Sequence, residues 1–560
     1  MKNKYLSILA ILILTLGACT EDFLDRTPSD QISTAIFFTQ AKDLEFALNG
    51  VYEAIGFNDW GDFERYGYST TLLRLECVTD NGYDGHSWNE LYEIAIGTAN
   101  AYDPFVTFYW KARYRGIQRA NRMFEGVGGI KDINPQYRDL LMAQARFLRA
   151  YFYFDLVYLW GDVPYLTHSV SPNDAVGLKR TDKKVVLDSI VHELDLAAAH
   201  LPLSYDDANL GRVTKGAAMA FKSRVLLYME KWAEAAEAAQ QVMDLQQYQL
   251  YDDYAKMFSY DGINNVEVIF DLQELPDQSR LYNFNLANYG PNSAYGWSSG
   301  TPLQSLVDAY ECTDGLPIDQ SPLYDPTSPW DNRDPRLEAT IIYPGRPWLG
   351  GSFNSIPKVD TTLMKGGPIV PGDNLLDGTG GQWNKTFTGY NWAKYMDEGA
   401  DYINDNLWNG SIHMILIRYA EVLLNYAEAK IEANDIDQSV YDAINAVRAR
   451  VNMPPIPGGL SQAELRERVR HERRVELAFE SLRLLDIRRW KIAEHVMPGQ
   501  PKLLRYSDPD GDGFTRPTDD PDGKPILSIE TRYFDPAKDY LWPIPQAEID
   551  NSKIEQNPGW

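Results

Sequence analysis

One stretch of the sequence, HERRVELAFESLRLLDIRRW at residues 471–490, restricts the possible folds more than any other. It holds five arginines and four carboxylates, with apolar residues interspersed among them. At helical spacing, one side of a helix that starts near 462 is apolar and must be largely buried. Arginines carried into an interior need carboxylates or carbonyl oxygens around them, which other elements have to supply. The apolar positions on the buried side are Leu465, Val469, Val475, Phe479 and Leu482.

The start of this helix is marked by Ser461 and Glu464, which have the spacing of a capping box. Glu421 and Glu428, on another amphipathic segment, are the expected partners of the arginines. Two roles are open for the cluster: a binding site for an anion, or a buried lattice of ion pairs that locks helix to helix. We favour the lattice, which makes the arginines part of the scaffold.

Amphipathic periodicity predicts helices in several other parts of the chain. Small alanines recur where two of these helices, 214–230 and 232–246, would touch, which is typical of tetratricopeptide-like pairs. The stretches 260–415 and 498–560 have little periodicity and are predicted to be loop-rich. The expected fold class is all-α, with helix pairs forming a scaffold that carries long irregular loops. The predicted helices span residues 137–160, 182–200, 214–230, 232–246, 417–434 and 437–451.

Length, charge and cysteine content limit the class of protein. A chain of 560 residues predicts one large domain or two closely packed domains. The formal net charge of −26, from 53 basic and 79 acidic residues, argues against nucleic acid as a partner. Cys77 and Cys312 lie too far apart in sequence to define a disulfide framework, and we expect buried small residues unless they pair.

The N-terminal segment MKNKYLSILAILILTLGACT is typical of an export signal. Lys2 and Lys4 precede an apolar run that is too short to span a membrane, and small residues follow it. LGAC resembles the lipobox of bacterial lipoproteins, in which Cys19 becomes the lipidated first residue of the mature chain. The alternative is an ordinary signal peptide with a coincidental cysteine. The acidic TEDFLDRTPSD that follows resembles a surface-export signal, or is a solvated tether.

Several blocks of the sequence together resemble the SusD/RagB family. They are FYFDLVYLWGDVP, RYAEVLLNYAEAK, HERRVELAFESLRLLDIRRW and LWPIPQAEIDNSKIEQNPGW, in the expected order after the lipobox. One departure is Ser481, where the family usually has glycine, and this is expected to alter a turn. The resemblance covers nearly the whole chain. It implies a SusD-like fold.

The resemblance also implies a function and a domain plan. It implies a non-catalytic lipoprotein on the outer face of the outer membrane that captures a nutrient, usually an oligosaccharide, for a SusC-like TonB-dependent transporter. Peptide binding, as in the RagB branch, is the alternative ligand class, and a secreted glycan-cleaving enzyme is the third hypothesis. The plan is a signal peptide at 1–18, a tether and first helix at 19–50, an N-terminal helical half at 51–260 and a loop-rich C-terminal half at 261–560.

Catalytic motifs are nearly absent from the sequence. GWSSG at 296–300 fits the letters of a nucleophile elbow, but no confident strand precedes it and the frame is helical. The seven histidines are scattered without the spacing of a zinc hydrolase. We therefore predict no enzymatic activity and no required cofactor.

An acidic segment, DPDGDGFTRPTD, predicts a calcium loop. Carboxylates at positions 1, 3, 5 and 12 repel one another unless a hard cation neutralises them. Position 12 is aspartate rather than the bidentate glutamate, and the alternative is a solvated acidic loop. The candidate ligands of this structural ion are Asp508, Asp510, Asp512 and Asp519.

Two loops, TDNGYDGHSW at 79–88 and NYGPNSAYGW at 288–297, carry the predicted ligand site. Sugars present apolar C–H faces that flat aromatic rings cover, while nearby polar groups bond to the hydroxyls. Both loops combine aromatic side chains with Gly, Asn and Asp. The predicted ligand-binding residues are Tyr83, Trp88, Tyr289, Tyr295 and Trp297, with Asp80, Asn81 and Asn292 as hydrogen-bonding groups and Trp348 and Trp383 as reserves.

Overall fold

The structure of the protein is a computed structural model. It describes residues 37–56, 72–85, 91–171, 173–276, 285–326, 328–348, 351–353, 355, 384–397, 409–504 and 530–560. The helices are α1 Ala41–Glu53, α2 Tyr92–Ile96, α3 Pro104–Gly126, α4 Pro135–Trp160, α5 Lys183–Ala198, α6 Lys215–Tyr228, α7 Trp232–Asp244, α8 Asn285–Tyr289, α9 Gln304–Ala309, α10 Arg336–Thr340, α11 Tyr419–Glu432, α12 Gln438–Arg450, α13 Gln462–Glu476, α14 Arg483–Arg489, α15 Ala493–Val496 and α16 Gln546–Ser552. The strands are β1 Gly82–Asp84, β2 Val268–Leu272, β3 Gly300–Pro302, β4 Ile341–Ile342, β5 Pro347–Trp348, β6 Gly351–Ser352, β7 Asn391–Trp392 and β8 Met414–Arg418.

All six periodic segments form helices within a few residues of the predicted bounds, as α4 to α7, α11 and α12. Side chains that accept hydrogen bonds from the first turn explain where most of them start. The predicted capping box at α13 is confirmed, because Ser461 and Glu464 bond reciprocally and the helix begins at Gln462. The other capping residues are Asn134, Asp182, Thr214 and Asp437.

The long helices stack in sequence order. Helices α3 to α7 each pack on the next, and α11 then packs on α7, α12 and α13. The buried Ala217 and Ala218 of α6 and Ala235 and Ala239 of α7 permit the close approach of that pair. Because α7 contacts α11, helices on the two sides of residue 260 belong to one continuous stack.

The sequence suggested that the helix beginning near 462 continued through residue 482, and this was wrong. Helix α13 ends at Glu476, and α14 begins only at Arg483. Between them Phe479 and Ser481 have positive φ angles of 61° and 67°. The turn carries the buried Phe479 ring into the core, where it stacks on Trp392 with ring centroids 4.1 Å apart.

One hydrophobic cluster extends from Leu44 in α1 to Ile554 near the C-terminus. The C-terminal segment is tied to α4, since Trp160 donates its indole N–H to the Pro543 carbonyl at 2.8 Å. Trp542 packs edge-on against Trp160, with ring centroids 5.2 Å apart. Residues 542–543 of the C-terminal segment therefore help to close the N-terminal helical layer.

The described strands form four small antiparallel pairs: β1 with β3, β2 with β8, β4 with β7 and β5 with β6. Cys77 and Cys312 are both free and buried, as expected for small core residues. None of the described helices combines the length and apolar composition that a bilayer span requires.

Candidate functional site

The pairing of β1 with β3 brings the two predicted ligand loops side by side. Tyr83 lies opposite Thr301, and Asp84 lies opposite Gly300. The ladder continues one step further, where the Gly85 amide donates to the Ser299 carbonyl at 2.6 Å. Residues some 200 positions apart in sequence thus share one strip of backbone, as a common site requires.

The second loop is held rigidly by its own backbone. The amide of Trp297 donates to the Ala287 carbonyl at 2.7 Å, and that of Ser299 donates to the Asn288 carbonyl at 2.7 Å. At the tip, Tyr295 has a φ of 62° and an exposed side chain, with 48% of its surface accessible. A non-glycine residue in this region of φ stores strain that the surrounding bonds must maintain. The loop therefore presents an aromatic ring on a fixed support.

The segment 384–397 forms a third side of this region. The Asn391 amide group donates to the Tyr289 carbonyl and to the Ser298 hydroxyl, both at 3.0 Å. Phe387 lies beside Tyr83, with ring centroids 6.0 Å apart. Sequence reasoning missed Phe387, because nothing in the sequence relates it to a strand some 300 residues earlier. The alternation in TFTGYNW was its only signal.

Of the predicted ligand residues, three lie at the surface of this region. Tyr295 is exposed, and Asn292 and Trp297 are half-buried. Trp88 and Trp383 lie outside the described residues. Trp348, one of the two second-choice aromatic residues, is buried in the short β5–β6 pair.

Four predicted ligand residues are buried instead, and as placed they have little surface to offer a sugar. The side chains of Tyr83 and Tyr289 pack in the core, the latter edge-on against Phe479. Asp80 and Asn81 face inward because arginines of the C-terminal half bind them. Composition pointed to two loops that the structure places side by side. It did not distinguish which side of each loop faces solvent.

Asp80 is held by two guanidinium groups. Arg483 donates two parallel hydrogen bonds to its carboxylate at 2.8 and 2.7 Å, and an Arg474 nitrogen lies 3.0 Å from it. Burial alone would raise the pKa of Asp80, but the two arginines hold it well below its usual range. Asn81 accepts from Arg474 at 2.8 Å and donates to Glu76 at 2.7 Å. Burial raises the pKa of Glu76 to about 7.

The predicted ion-pair lattice is confirmed in the interior beneath this region. Arg418 donates to Glu267 at 2.8 Å, to Glu476 at 2.6 Å and to Glu480 at 2.7 Å. Further pairs bind Arg336 and Arg450 to Glu476. Because these groups are buried and bonded to one another, the lattice does not offer an anion site.

The expected partners of the arginines were half correct. Glu428 receives two hydrogen bonds from Arg489, both at 2.7 Å, and lies 3.5 Å from Arg473. Glu421 instead pairs with Arg224 of α6, which donates to both of its oxygens at 2.6 Å. This pair joins α6 to α11, so the lattice connects the helical layer as well as α13.

Comparisons with known proteins identify the family. The SusD family model matches residues 266–560, and a second model, described as starch-binding associating with outer membrane, matches residues 22–227. This chain belongs to the SusD family. The SusD-like protein P2 of Formosa agariphila is 28% identical over the whole of both chains.

Solved structures agree with the SusD fold. A SusD-like carbohydrate-binding protein of Bacteroides fragilis is similar with a TM-score of 0.81 and 30% identity, covering 92% of this chain and 99% of that one. A laminarin-binding SusD-like protein has a TM-score of 0.67 at 22% identity, covering 93% and 100%, and shows the fold alone. The mainly helical SusD-like fold predicted from the sequence is thereby confirmed.

The GWSSG motif does not have the geometry of a nucleophile elbow. It is flanked by a 3-10 helix at Asn292–Ala294 and by β3, whereas the elbow needs a strand before it and a helix after it. Ser298 is buried, and its hydroxyl accepts a hydrogen bond from Asn391 at 3.0 Å. This serine therefore supports the packing of the loop.

A cavity of about 390 Å³ lies elsewhere, between α1, the 207–212 turn and β2. Tyr52, Arg212 and Gln273 are among its lining residues, and none of the predicted ligand residues lines it. The predicted calcium ligands Asp508, Asp510, Asp512 and Asp519 and the predicted lipidation site Cys19 lie outside the described residues. Within the described ranges, no group of three or more His, Cys, Asp or Glu side chains is arranged to hold a metal ion.

Proposed function

We propose that this chain is a non-catalytic glycan-binding lipoprotein, which captures oligosaccharides at the cell surface and delivers them to a TonB-dependent transporter. The observation that carries the proposal is the β1–β3 ladder, which brings the segment 82–84 beside the end of the loop that presents the exposed ring of Tyr295. An aromatic face beside amide and hydroxyl groups suits a sugar, because C–H faces and hydroxyls are recognised together. Membership of the SusD family and the carbohydrate-binding relative of known structure support the same ligand class.

A glycan array probed with the detergent-solubilised mature protein tests the ligand class. Binding of at least one oligosaccharide without hydrolysis products after long incubation is the expected result. Release of shorter sugars would instead favour a glycan-cleaving enzyme. Binding restricted to a peptide library would favour the peptide-uptake alternative.

Calorimetry with the best array ligand tests the site. Trp297→Ala is expected to weaken binding by about 1–2 kcal/mol if the ring stacks on sugar. Trp88→Ala tests the predicted aromatic that lies outside the described residues. Wild-type affinity in both folded variants would mean that the ligand binds elsewhere, and the cavity beside Tyr52 would be examined next.

The anchor and the transporter are further parts of the proposal. A fatty-acid probe should label the wild type in cells and should not label Cys19→Ser. Protease added to intact cells should digest the protein if it faces outward. Under mild detergent it should co-purify with a large outer-membrane barrel. A lone monomer after crosslinking in native membranes would contradict a stable complex with the transporter.

A structural calcium ion at Asp508, Asp510, Asp512 and Asp519 remains a prediction. Calorimetric titration of calcium into the chelated protein should show binding that Asp510→Asn abolishes. Absence of any calcium binding would remove this ion from the proposal.

A further inference from the structure

The segment that leads into β1 is anchored from below by two arginines of the C-terminal half. Arg483 of α14 holds the Asp80 carboxylate by two parallel hydrogen bonds of 2.8 and 2.7 Å. Arg474 of α13 donates to Asn81 at 2.8 Å and lies 3.0 Å from the same carboxylate. Two planar guanidinium groups that bind two consecutive residues fix the orientation of this segment as well as its distance from the helices.

The backbone on both sides of Asn81 is tied down as well. Arg532 donates to the carbonyl of Thr79 at 2.6 Å and to that of Gly82 at 3.0 Å. The Asn81 carbonyl accepts from the amide of Leu303 at 2.9 Å, just beyond β3. The position of residues 79–82 is therefore transmitted directly to β3.

From β3 the path reaches the proposed sugar-binding surface. The Ser299 carbonyl accepts from Gly85, and its amide donates to the Asn288 carbonyl. Asn288 and Ser299 enclose the tip that carries Tyr295. At the base of that tip a Cβ on Gly296 would collide with the Gly290 carbonyl oxygen, so the two arms of the loop are in close backbone contact. A shift at Asp80 would thus displace the exposed ring.

The ion pairs at Asp80 are suited to specifying a position. A buried ion pair contributes little net stability relative to apolar packing, because desolvation offsets its attraction, while its geometry can fix one arrangement. Asp80 has two arginine partners, and Arg474 also reaches its neighbour Asn81. The second guanidinium adds an orientational restraint on this segment.

We propose that Arg474 and Arg483 are positioning residues for the glycan-binding surface. Through Asp80 and Asn81 they set the place of β1, and the β1–β3 ladder sets the place of the loop that carries Tyr295. Part of the arginine cluster therefore tunes ligand affinity, in addition to its part in the scaffold. The inference rests on the proposed function for its link to glycan, and on the hydrogen-bonded path alone for its link to loop position.

The test compares two arginines of the same helix. Arg474→Met removes one of the two guanidinium groups at Asp80 and leaves the apolar part of the side chain in place. Asp80 keeps its ion pair with Arg483. Arg468→Met is the matched control, because Arg468 is also partly exposed and pairs with Glu311, which keeps Arg448. Only the first variant touches the segment before β1. Arg474→Lys serves as the conservative variant, which keeps the charge beside Asp80.

Two measurements are made on all three variants and the wild type: calorimetric affinity for the best array ligand, and hydrogen exchange of the Gly85 and Leu303 amides. Arg474→Met should weaken glycan binding about fivefold or more, equivalent to about 1 kcal/mol. In this variant the Gly85 and Leu303 amides should exchange faster than in the wild type. Arg468→Met should change neither the affinity nor the exchange of these amides, although its shift in Tm should be comparable to that of Arg474→Met. Arg474→Lys should lie between Arg474→Met and the wild type.

Wild-type affinity in Arg474→Met, or equal weakening in Arg468→Met, would overturn the inference. If the wild type binds no glycan at all, the proposed function falls, and hydrogen exchange still decides the positioning role. Unchanged exchange at Gly85 and Leu303 in Arg474→Met would then overturn it.

Discussion

The interior around Arg418 and the surface around Tyr295 contrast in how they use their functional groups. Around Arg418, guanidinium and carboxylate groups are fully buried and bonded to one another. At the surface, Tyr295 holds an exposed ring on a backbone with a φ of 62°. The charged interior has already committed its hydrogen bonds to the protein. The surface keeps an aromatic face available to a ligand.

This difference shows why charge density alone is a poor guide to a binding site. The arginine-rich stretch has the composition of an anion site, yet Glu472, Glu476, Glu480 and Asp486 lie within the same stretch and pair with arginines. The loop tip has little charge, yet it presents an exposed aromatic ring. Availability of a group after folding, rather than its presence in the sequence, distinguishes the two regions.

The largest expected effect would come from the interior. Arg418→Met leaves three buried carboxylates with one partner fewer and should lower the free energy of unfolding by about 3–5 kcal/mol. Arg466→Met is the control, since its partner Glu432 lies nearer the surface, and should cost about 1 kcal/mol or less. Denaturant unfolding followed by tryptophan fluorescence measures both. Equal losses would remove the distinction between the interior lattice and the outer ion pairs.

A pH effect should come from the boundary between the two regions. Glu76 lies beneath the 79–85 segment with Asp80, Arg474, Arg483 and Cys77 around it, and burial raises its pKa to about 7 from an ordinary 4.5. Between these values the folded protein keeps a proton that the unfolded chain releases. Stability should therefore fall as pH rises through this window, by at most about 1.4 kcal/mol per pH unit.

Glu76→Gln keeps the acceptor for Asn81 and should remove this part of the slope of unfolding free energy against pH. The matched control is Glu237→Gln, which changes an exposed carboxylate of α7 and should keep the wild-type slope. Identical slopes in the wild type and Glu76→Gln would mean that Glu76 does not carry a proton in the folded protein near neutral pH.

At the surface the expected loss is in affinity rather than stability. Tyr295→Ala should weaken glycan binding by about 1–2 kcal/mol, because one stacked ring is lost. Tyr102→Ala is a suitable control, since Tyr102 is also an exposed tyrosine and belongs to neither ligand loop. Calorimetry and thermal melting should find weaker binding with an unchanged Tm for Tyr295→Ala alone. A large drop in Tm would place Tyr295 among the structural residues.

The smallest effect concerns the turn between α13 and α14. Ser481 has a φ of 67°, which favours glycine, but its hydroxyl donates to the Leu72 carbonyl at 2.6 Å. Ser481→Gly relieves the strain and loses the bond, so stability should hardly change. Ser481→Ala keeps the strain and should cost about 1 kcal/mol. Thermal melting of both variants checks this order, and a more stable alanine variant would contradict it.

Local signals explain what could be predicted. The helices formed within a few residues of their predicted bounds because apolar spacing and capping residues such as Asn134 and Ser461 act over a few positions. Glu428 was correctly paired with the arginines because it lies on α11, which packs on α13 and so brings Glu428 to 3.5 Å from Arg473. Glu421 was misassigned because its partner, Arg224, belongs to a helix 197 positions earlier.

The sequence by itself determined the helical scaffold, the burial of an arginine-rich segment and the two loops that carry aromatic residues. Only the tertiary structure decided which side of each loop faces solvent. Asp80 turns inward to bind Arg483, which lies 403 positions away in the sequence. Tyr83 is buried where β1 meets β3. Periodicity and capping depend on residues that are close in sequence. The contacts of Asp80 and Tyr83 form only when distant segments of the chain pack together, and the same packing leaves Tyr295 exposed.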